Sequence, residues 1–367
     1  MAKKLKLGVI YGGRSGEHAV SLMSARSVLS VIDRSKYDVV EIGITRKGQW
    51  LVGDNLWEGL QKEDYKALRP AIFIPSPQNP GIFTLEDGQL SLFAMLDVVF
   101  PVMHGTFSED GTLQGLLELA DIAYVGAGVL GSAVCMDKGL FKHVMMANNI
   151  PTLPFKVLNR LELEEDLNLC LVKVESVGEY PLFTKPANLG SSVGVSKCAN
   201  RSELLEGMLD AARYDRRIVV EKGLNHAQEI EVSVLGNETP VASIPGEIIP
   251  KDIFYTYNEK YINETAELII PAPIPSEMAL RVQALAIKAY KLTDCAGMAR
   301  VDFLIDQNNE ALYLNEINTI PGFTKISMYP KLWEATGLPY KDLIEKLIQY
   351  AIERKAQRDH TEREFRT

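Results

Sequence analysis

Two acids, an amide and an arginine near the C-terminal end are the side chains of this sequence best placed to do chemistry. Asp302 follows Arg300 in Met298-Ala299-Arg300-Val301-Asp302-Phe303. Glu316 and Asn318 stand in Leu314-Asn315-Glu316-Ile317-Asn318, just ahead of Pro321-Gly322. The apolar runs Ala299–Ile305 and Ala311–Ile317 flank the turn cluster Asp306-Gln307-Asn308-Asn309, which reads as a β-hairpin. Alternate residues of a strand share a face. On that rule Arg300, Asp302 and Leu304 line one face of the first strand, and Leu314, Glu316 and Asn318 one face of the second. A pairing with Leu314 opposite Asp302 puts Asp302 and Glu316 within diagonal reach. Two carboxylates and an amide oxygen suit Mg²⁺ held against substrate phosphates. An arginine beside them suits a developing negative charge.

Five other stretches carry candidate chemistry. Gly190-Ser191-Ser192-Val193-Gly194-Val195-Ser196 lies between two strands and lacks the Gly-Lys-Ser ending of a P-loop. Its backbone N–H groups can fold over a triphosphate, with Lys185 supplying a cation to the α and β phosphates. Read alone, it is equally a plain hairpin turn. Ile218–Leu224 is a strand leaving into a linker, where backbone groups can meet an adenine edge. Glu229 can accept from ribose hydroxyls, and taken by itself is equally a surface acid. Gly12-Gly13-Arg14-Ser15-Gly16-Glu17-His18 follows a strand and opens a helix. A dinucleotide fold looks similar, but the next strand ends Ile44-Thr45, without the acid that would hold an adenosine ribose. A helix start is also a general anion site, so a small carboxylate or amine substrate held by Glu17 and the helix start fits better. His104-Gly105-Thr106 with Glu109-Asp110-Gly111 sits at the end of an apolar strand, where α/β sheets bind ligands. His104 is open to both a structural and a functional reading. The aromatic, polar stretch Phe254–Tyr261 has neither helix nor strand periodicity and reads as a lid or a plain surface loop.

Those residues need elements to hold them. Strands are expected at Leu5–Tyr11, Val39–Ile44 and Asp97–Val102, with helices over Val20–Ile32 and Leu113–Leu119. This β-α-β order implies a parallel sheet covered by helices. Val52–Leu96, rich in Pro and Gly, reads as irregular. A second unit starts near Asp137-Lys138, with a helix over Leu140–Ala147. Its strands are expected at Leu182–Lys185, Val193–Lys197 and Ile218–Glu221, and a further helix over Ser202–Ala212. A third starts after Lys222, with strands at Glu229–Leu235 and Val241–Ile244. A polar loop over Lys251–Thr265, a helix over Glu277–Lys291, the acidic hairpin and a helix over Tyr340–Lys355 complete it.

The composition bounds what such units can serve. At 367 residues the chain is expected to form two or three domains. A hydrophobic fraction of 46% with 24% charged residues is that of a soluble globular protein. The net charge of −9 speaks against a nucleic-acid partner, which favours a basic excess. Cys135, Cys170, Cys198 and Cys295 form no C-x-x-C pair, so neither a zinc site nor a disulfide framework is suggested. The apolar run after Met-Ala-Lys-Lys-Leu-Lys is too short for a signal-peptide core or a membrane span, and a cytoplasmic protein is expected.

In this order the motifs G-G-x-S-x-E-H, H-G-x-x-x-E-D-G-x-x-Q-G, G-S-S-V-G-V, E-K-Y, M-A-R-x-D and N-E-I-N-T-x-P-G resemble those of the D-alanine–D-alanine ligases of the ATP-grasp superfamily. The resemblance runs from the first strand to about Ile352. Ala19 stands where an acid is more usual, and Ile320 where leucine or serine is common. The resemblance implies an α/β, three-domain ATP-grasp fold. An N-terminal α/β substrate domain would span 1–137, a central lid domain 138–222, and a C-terminal domain with the metal hairpin 223–367. It implies that Mg-ATP phosphorylates one D-alanine and that the amine of a second attacks the acyl phosphate, giving the dipeptide for peptidoglycan precursors.

By the same resemblance, Asp302, Glu316 and Asn318 hold two Mg²⁺ (or Mn²⁺) ions, and Lys138, Lys185 and Lys260 carry phosphate charge. Glu221, Leu224 and Glu229 hold adenosine, and Ser192, Lys222 and Asn315 complete the ATP site. Arg300 and the Gly322 N–H form the oxyanion site. Glu17, with His104 close by, binds the first alanine, and Ser327 the carboxylate of the second. Glu17, Ser191 and Tyr261 form the set that closes the lid, which keeps water from the acyl phosphate. Tyr261 resembles the dipeptide-forming type, and a homodimer is implied. A D-lactate or D-serine acceptor is the near alternative. A nicotinamide-dependent oxidoreductase on the Gly12–Gly16 turn, or an idle nucleotide-binding regulator, is the distant one.

Overall fold

In the computed structural model residues 3–249 and 267–362 are described, and they form three sheets. The first is built from β1 (Leu5–Gly12), α1 (His18–Val31), β2 (Tyr37–Ile44), β3 (Trp50–Val52), α2 (Leu56–Lys62), β4 (Arg69–Ile74), β5 (Gly81–Glu86), β6 (Gln89–Met95), β7 (Val98–Val102), α3 (Thr112–Leu119) and β8 (Ala123–Tyr124). Its order is β6-β5-β4-β3-β2-β1-β7-β8. Strand β1 is parallel to both β2 and β7, and β7 to β8, as the β-α-β reading expects. Strands that run parallel under helices are buried on both faces, and β1 is fully buried from Leu7 to Gly12.

The expectation of an irregular Val52–Leu96 is overturned. That stretch holds most of the antiparallel half of the sheet, β3 to β6, with α2 between. Its turn-forming residues end strands rather than prevent them. Asp87 and Gly88, both at positive φ, form the two-residue connection that joins Glu86 to its partner Gln89.

The second sheet follows α4 (Val129–Met136) and α5 (Lys138–Ala147). It contains β9 (Phe155–Asn159), α6 (Arg160–Glu165), α7 (Leu167–Glu175), β10 (Leu182–Pro186), β11 (Ser196–Cys198), α8 (Arg201–Tyr214) and β12 (Arg217–Lys222). All its pairings are antiparallel, in the order β11-β10-β12-β9. Leu163, Leu171, Leu204 and Met208 of the helices close over Leu158, Leu182, Ile218 and Val220. Strand β9 was not foreseen. The strand expected at Val193–Lys197 starts only at Ser196, because Ser191 and Ser192 take left-handed backbone angles and make a turn instead.

The third sheet comprises β13 (Ala227–Gly236), β14 (Val241–Ala242), β15 (Gly246–Ile249), β16 (Glu267–Ile269), β17 (Gly297–Asp306) and β18 (Ala311–Asn318). It is accompanied by α9 (Ser276–Leu292), α10 (Met328–Ala335) and α11 (Tyr340–Asp359). Its order is β16-β15-β13-β17-β18, with β14 on β13. Its apolar face packs on α9 through Val282, Ala286, Ala289 and Tyr290. Leu343, Ile344, Leu347 and Ile348 of α11 share one core with Leu7, Val9, Val98 and Phe100 of the first sheet. The loop read at Lys251–Thr265, with Lys260 and Tyr261, lies outside the described residues. Among the described residues no helix is long and apolar enough to cross a membrane, and all four cysteines are buried and free.

Candidate active site

Strands β17 and β18 form the expected hairpin with a different register. Asp302 faces Glu316 directly and Arg300 faces Asn318, while Phe303 faces Leu314. Asn315 is therefore the extra residue of a β-bulge, and Leu314 does not stand opposite Asp302 as the simple alternation expects. The cause lies in the core. Phe303 and Leu314 are each 1% exposed and pack together beneath the sheet. One inserted residue lets Leu314 point inward and still leaves Glu316 and Asn318 on the polar face.

That face is held by charge-assisted hydrogen bonds. Arg300 Nε donates to Asp302 Oδ1 at 2.8 Å and a terminal guanidinium nitrogen to Oδ2 at 2.7 Å, a bidentate pair. Arg300 Nε is also 3.0 Å from Glu231 Oε2, and Glu231 on β13 is paired with Asp302 across the sheet. Asn318 Nδ2 donates to Asp302 Oδ2 at 2.9 Å. Glu316 Oε2 is 3.6 Å from Lys138 Nζ, which also donates to the Leu189 carbonyl at 2.8 Å. Among the described residues no cluster of three His, Cys, Asp or Glu side chains is set up as a metal cage. The donors are two carboxylates and the Asn318 amide oxygen. Such a short, all-oxygen set fits Mg²⁺, which keeps several waters and takes its remaining ligands from substrate phosphates.

Lys185 on β10 and Glu221 on β12 make a buried ion pair. Lys142 on α5 approaches the other oxygen, Nζ to Oε2 2.9 Å. Burial would push the Glu221 carboxyl up, but the ammonium groups of Lys142 and Lys185 outweigh it and hold it down to about 2. Burial lowers Lys142, with Glu221 opposing. For Lys185, burial is outweighed by Glu221, Glu316 and Glu229, and its pKa is raised.

At the other end of the cavity, Glu17 immediately precedes α1 and is buried. The Ser191 hydroxyl donates to its Oε1, which joins the glycine-rich turn to the start of the first helix. A side chain at Gly105 or Gly190 would collide with Glu17 Oε2, since a Cβ there would lie 2.6 or 2.9 Å from it. His104 is buried with both ring nitrogens engaged. Nδ1 is 3.0 Å from the Ile320 carbonyl, so it carries the proton, and Nε2 is 3.0 Å from Ser24 Oγ. Ser24 Oγ in turn accepts from the Phe323 N–H at 3.3 Å. Burial lowers the His104 pKa, which favours this neutral form. Glu109 accepts from the N–H groups of Gly105 and Ile320 at 2.7 and 3.3 Å. Burial and the Glu17 charge raise its carboxyl to about 8. Together Ser24, His104 and Glu109 fix the chain from Ile320 to Phe323, hence the backbone of Gly322. A Cβ on Gly322 would lie 2.7 Å from Ser327 Oγ, and Ser327 Oγ accepts from Thr324 N at 3.0 Å.

All these groups border one cavity of about 270 Å³. Glu17, His104, Lys138, Lys185, Ser191 and Ser192 line it from the first two sheets, followed by Glu221, Lys222 and Leu224 at the strand exit. Glu229, Arg300, Asp302, Asn315, Glu316 and Asn318 line it from the third sheet, with Gly322 and Ser327 beyond. Phe183, Leu153 and Met136 add apolar surface to its lining, of the kind that suits a flat ring. Every site residue expected from sequence is therefore brought to this cavity except Lys260 and Tyr261, which lie outside the described residues. Sequence reading missed Lys142, Glu231 and Ser24. Glu231 carried a usable signal, an acid at mid-strand in alternation with Glu229.

Two family models match the chain. Residues 6–127 match the family model described as D-ala D-ala ligase N-terminus, and residues 144–349 the one described as D-ala D-ala ligase C-terminus. The chain is 52% identical over 353 residues to a D-alanine–D-alanine ligase of Thermoanaerobacter sp. (strain X514), covering 96% of this chain and 97% of the relative. It is 48% identical over 363 residues to that of Heliobacterium modesticaldum, covering 98% of each. Among solved structures it is similar to the D-alanine-D-alanine ligase from Coxiella burnetii, with a TM-score of 0.82 and 37% identity, covering 98% and 97% of the two chains. It is also similar to the VanG D-Ala:D-Ser ligase from Enterococcus faecalis, with a TM-score of 0.83 and 35% identity, covering 95% of this chain and 100% of that one.

Proposed function

The chain belongs to the D-alanine–D-alanine ligase family, and from that premise we propose how its residues carry the reaction. The enzyme joins two D-alanines with ATP as the energy source and has the ATP-grasp fold. A carboxylate is a poor electrophile. One of its oxygens therefore attacks the γ-phosphorus, the bond to the bridging oxygen breaks, and ADP leaves an acyl phosphate. The amine of the second D-alanine then attacks the acyl carbon, a proton leaves the nitrogen, and the C–O bond to phosphate breaks.

Most of what the protein supplies to such a transfer is position and charge. Glu17 holds the ammonium group of the first alanine, and Ser191 fixes Glu17 beneath the glycine-rich turn. His104, its nitrogens spent on Ile320 and Ser24, contributes by positioning the Gly322 segment. Arg300 and the Gly322 N–H face the oxyanion of the tetrahedral intermediate. Ser327 takes the second carboxylate. Lys138 and Lys185 receive phosphate charge, with Lys260 added from the lid. Backbone groups from Glu221 to Leu224 meet the adenine edge and Glu229 the ribose, beside Ser192, Lys222 and Asn315. Asp302, Glu316 and Asn318 would hold two Mg²⁺ (or Mn²⁺) ions, which neutralise phosphate charge when bound. Tyr261 joins Glu17 and Ser191 in closing the lid.

The wider reading keeps three domains, 1–137, 138–222 and 223–367, a cytoplasmic homodimer, and a dipeptide made for peptidoglycan precursors. The observation that carries the assignment of roles is the convergence of the oxygen-donor hairpin, the lysines and Glu17 on one cavity. The test is product analysis with Mg-ATP and a panel of D-amino and D-hydroxy acids. D-alanyl-D-alanine and phosphate are expected, and their absence overturns the reading. A D-serine acceptor is the second reading, favoured only by the likeness to VanG. The same panel decides it. Removing divalent cations with a chelator should stop turnover, and Mg²⁺ should restore it. Turnover that survives chelation rules out the metal assignment.

A further inference from the structure

Behind the nucleotide half of the cavity stands a carboxylate with two cations. Lys185 lines the cavity and pairs with Glu221 Oε1. Lys142 does not line it. It reaches Glu221 Oε2 from α5, is 1% exposed, and has its ammonium group 5.9 Å from the centre of the Phe155 ring. An anion entering the cavity must compete for a lysine that carboxylates already hold, Glu221 directly with Glu316 and Glu229 adding to the hold. The cation that can meet that anion is Lys185, since it alone of the two faces the cavity. For Lys185 to turn toward a phosphate it must loosen its hold on Glu221, and a buried carboxylate left without a cation opposes the move.

We propose that Lys142 is a positioning residue for nucleotide binding: it is the standing counter-ion of Glu221, and it lets Lys185 leave that carboxylate for the nucleotide's phosphates. The inference rests on the reading above that Lys185 receives phosphate charge. It assigns work to a side chain that does not line the cavity.

The test measures ATP affinity by calorimetry with Mg²⁺ present, D-alanine KM and thermal unfolding on the full chain. Lys142→Met should weaken ATP binding by about tenfold or more and leave the D-alanine KM within about twofold. Lys142→Arg should recover most of the loss. Because Lys142 acts through Glu221, adding Lys142→Met to Glu221→Gln should change ATP affinity by less than about twofold relative to Glu221→Gln alone. That comparison stands even if Lys142→Met fails to fold, since the double variant removes both members of the buried pair. A merely structural lysine would lower the unfolding temperature without altering the ATP affinity of the folded protein, and that result overturns the proposal. So does additivity of the two substitutions. Lys185→Met separates the layers. If it leaves ATP affinity unchanged, the phosphate reading of Lys185 fails and takes the inference with it. If it weakens ATP and Lys142→Met does not, the inference alone fails.

Discussion

At the scale of single residues the site is a set of charges whose partners were chosen for it. Glu316 is the clearest case, a carboxylate opposite Asp302 with a lysine 3.6 Å away. Glu316→Gln keeps the shape and removes the charge. Turnover should fall by about 10²–10³ or more, while the unfolding temperature stays close to wild type. Near-normal turnover would remove the metal reading of this side chain. Glu221 gives a pH prediction. Its folded carboxyl is held down to about 2, below its ordinary 4.5, so its ion pairs stabilise fully above the ordinary range and lose their effect as the pH falls toward 2. The stability gap between wild type and Glu221→Gln should be widest at neutral pH and narrow below pH 4.5. A gap that widens on acidification contradicts the pairing. Residues such as Asp302, Glu316 and Arg300 were legible in the sequence because charge inside an apolar strand has no cheap explanation. Lys142 was not, because a lysine on a helix reads as a solvated face until the fold buries it.

Among the elements, the bulge at Asn315 decides which side chains see the site. Deleting Asn315 would restore simple alternation and force either Leu314 or Glu316 onto the wrong face of β18. The expected outcome is loss of activity together with lower stability, read by turnover and thermal unfolding, whereas Asn315→Ala should keep the stability. A deletion variant with wild-type activity would show that the register carries no function. The loop after β18 makes a second demand. Gly322→Ala places a Cβ 2.7 Å from Ser327 Oγ, too close for either to stay put, and the displaced N–H should lower kcat by about a hundredfold. An unchanged kcat would separate Gly322 from the oxyanion site. The hairpin itself was readable from two apolar runs and a polar turn. Its bulge was not, because the sequence pattern alone does not say that Leu314 must reach Phe303. The antiparallel strands between Val52 and Leu96 were hidden by prolines and glycines that mark their ends.

For the whole molecule, α11 ties the C-terminal segment into the first core. No local pattern announces a contact between residues more than three hundred positions apart. The same helix carries Arg354 and Arg358, which pair with Glu118, and Arg358 also with Asp121. These groups are partly exposed, so a double-mutant cycle of Arg358→Ala with Glu118→Ala should give a coupling of about 1 kcal/mol or less. A much larger value would mean that the network is more shielded than its exposure indicates. The hydrogen bond from Ser191 to Glu17 has the widest reach. On the proposed roles it joins the nucleotide's turn to the carboxylate that receives the first amino acid, so neither guest would settle without registering the other. Thermodynamic reciprocity then fixes the ledger: by whatever factor ATP tightens D-alanine, D-alanine must tighten ATP, and Ser191→Ala should shrink both factors together.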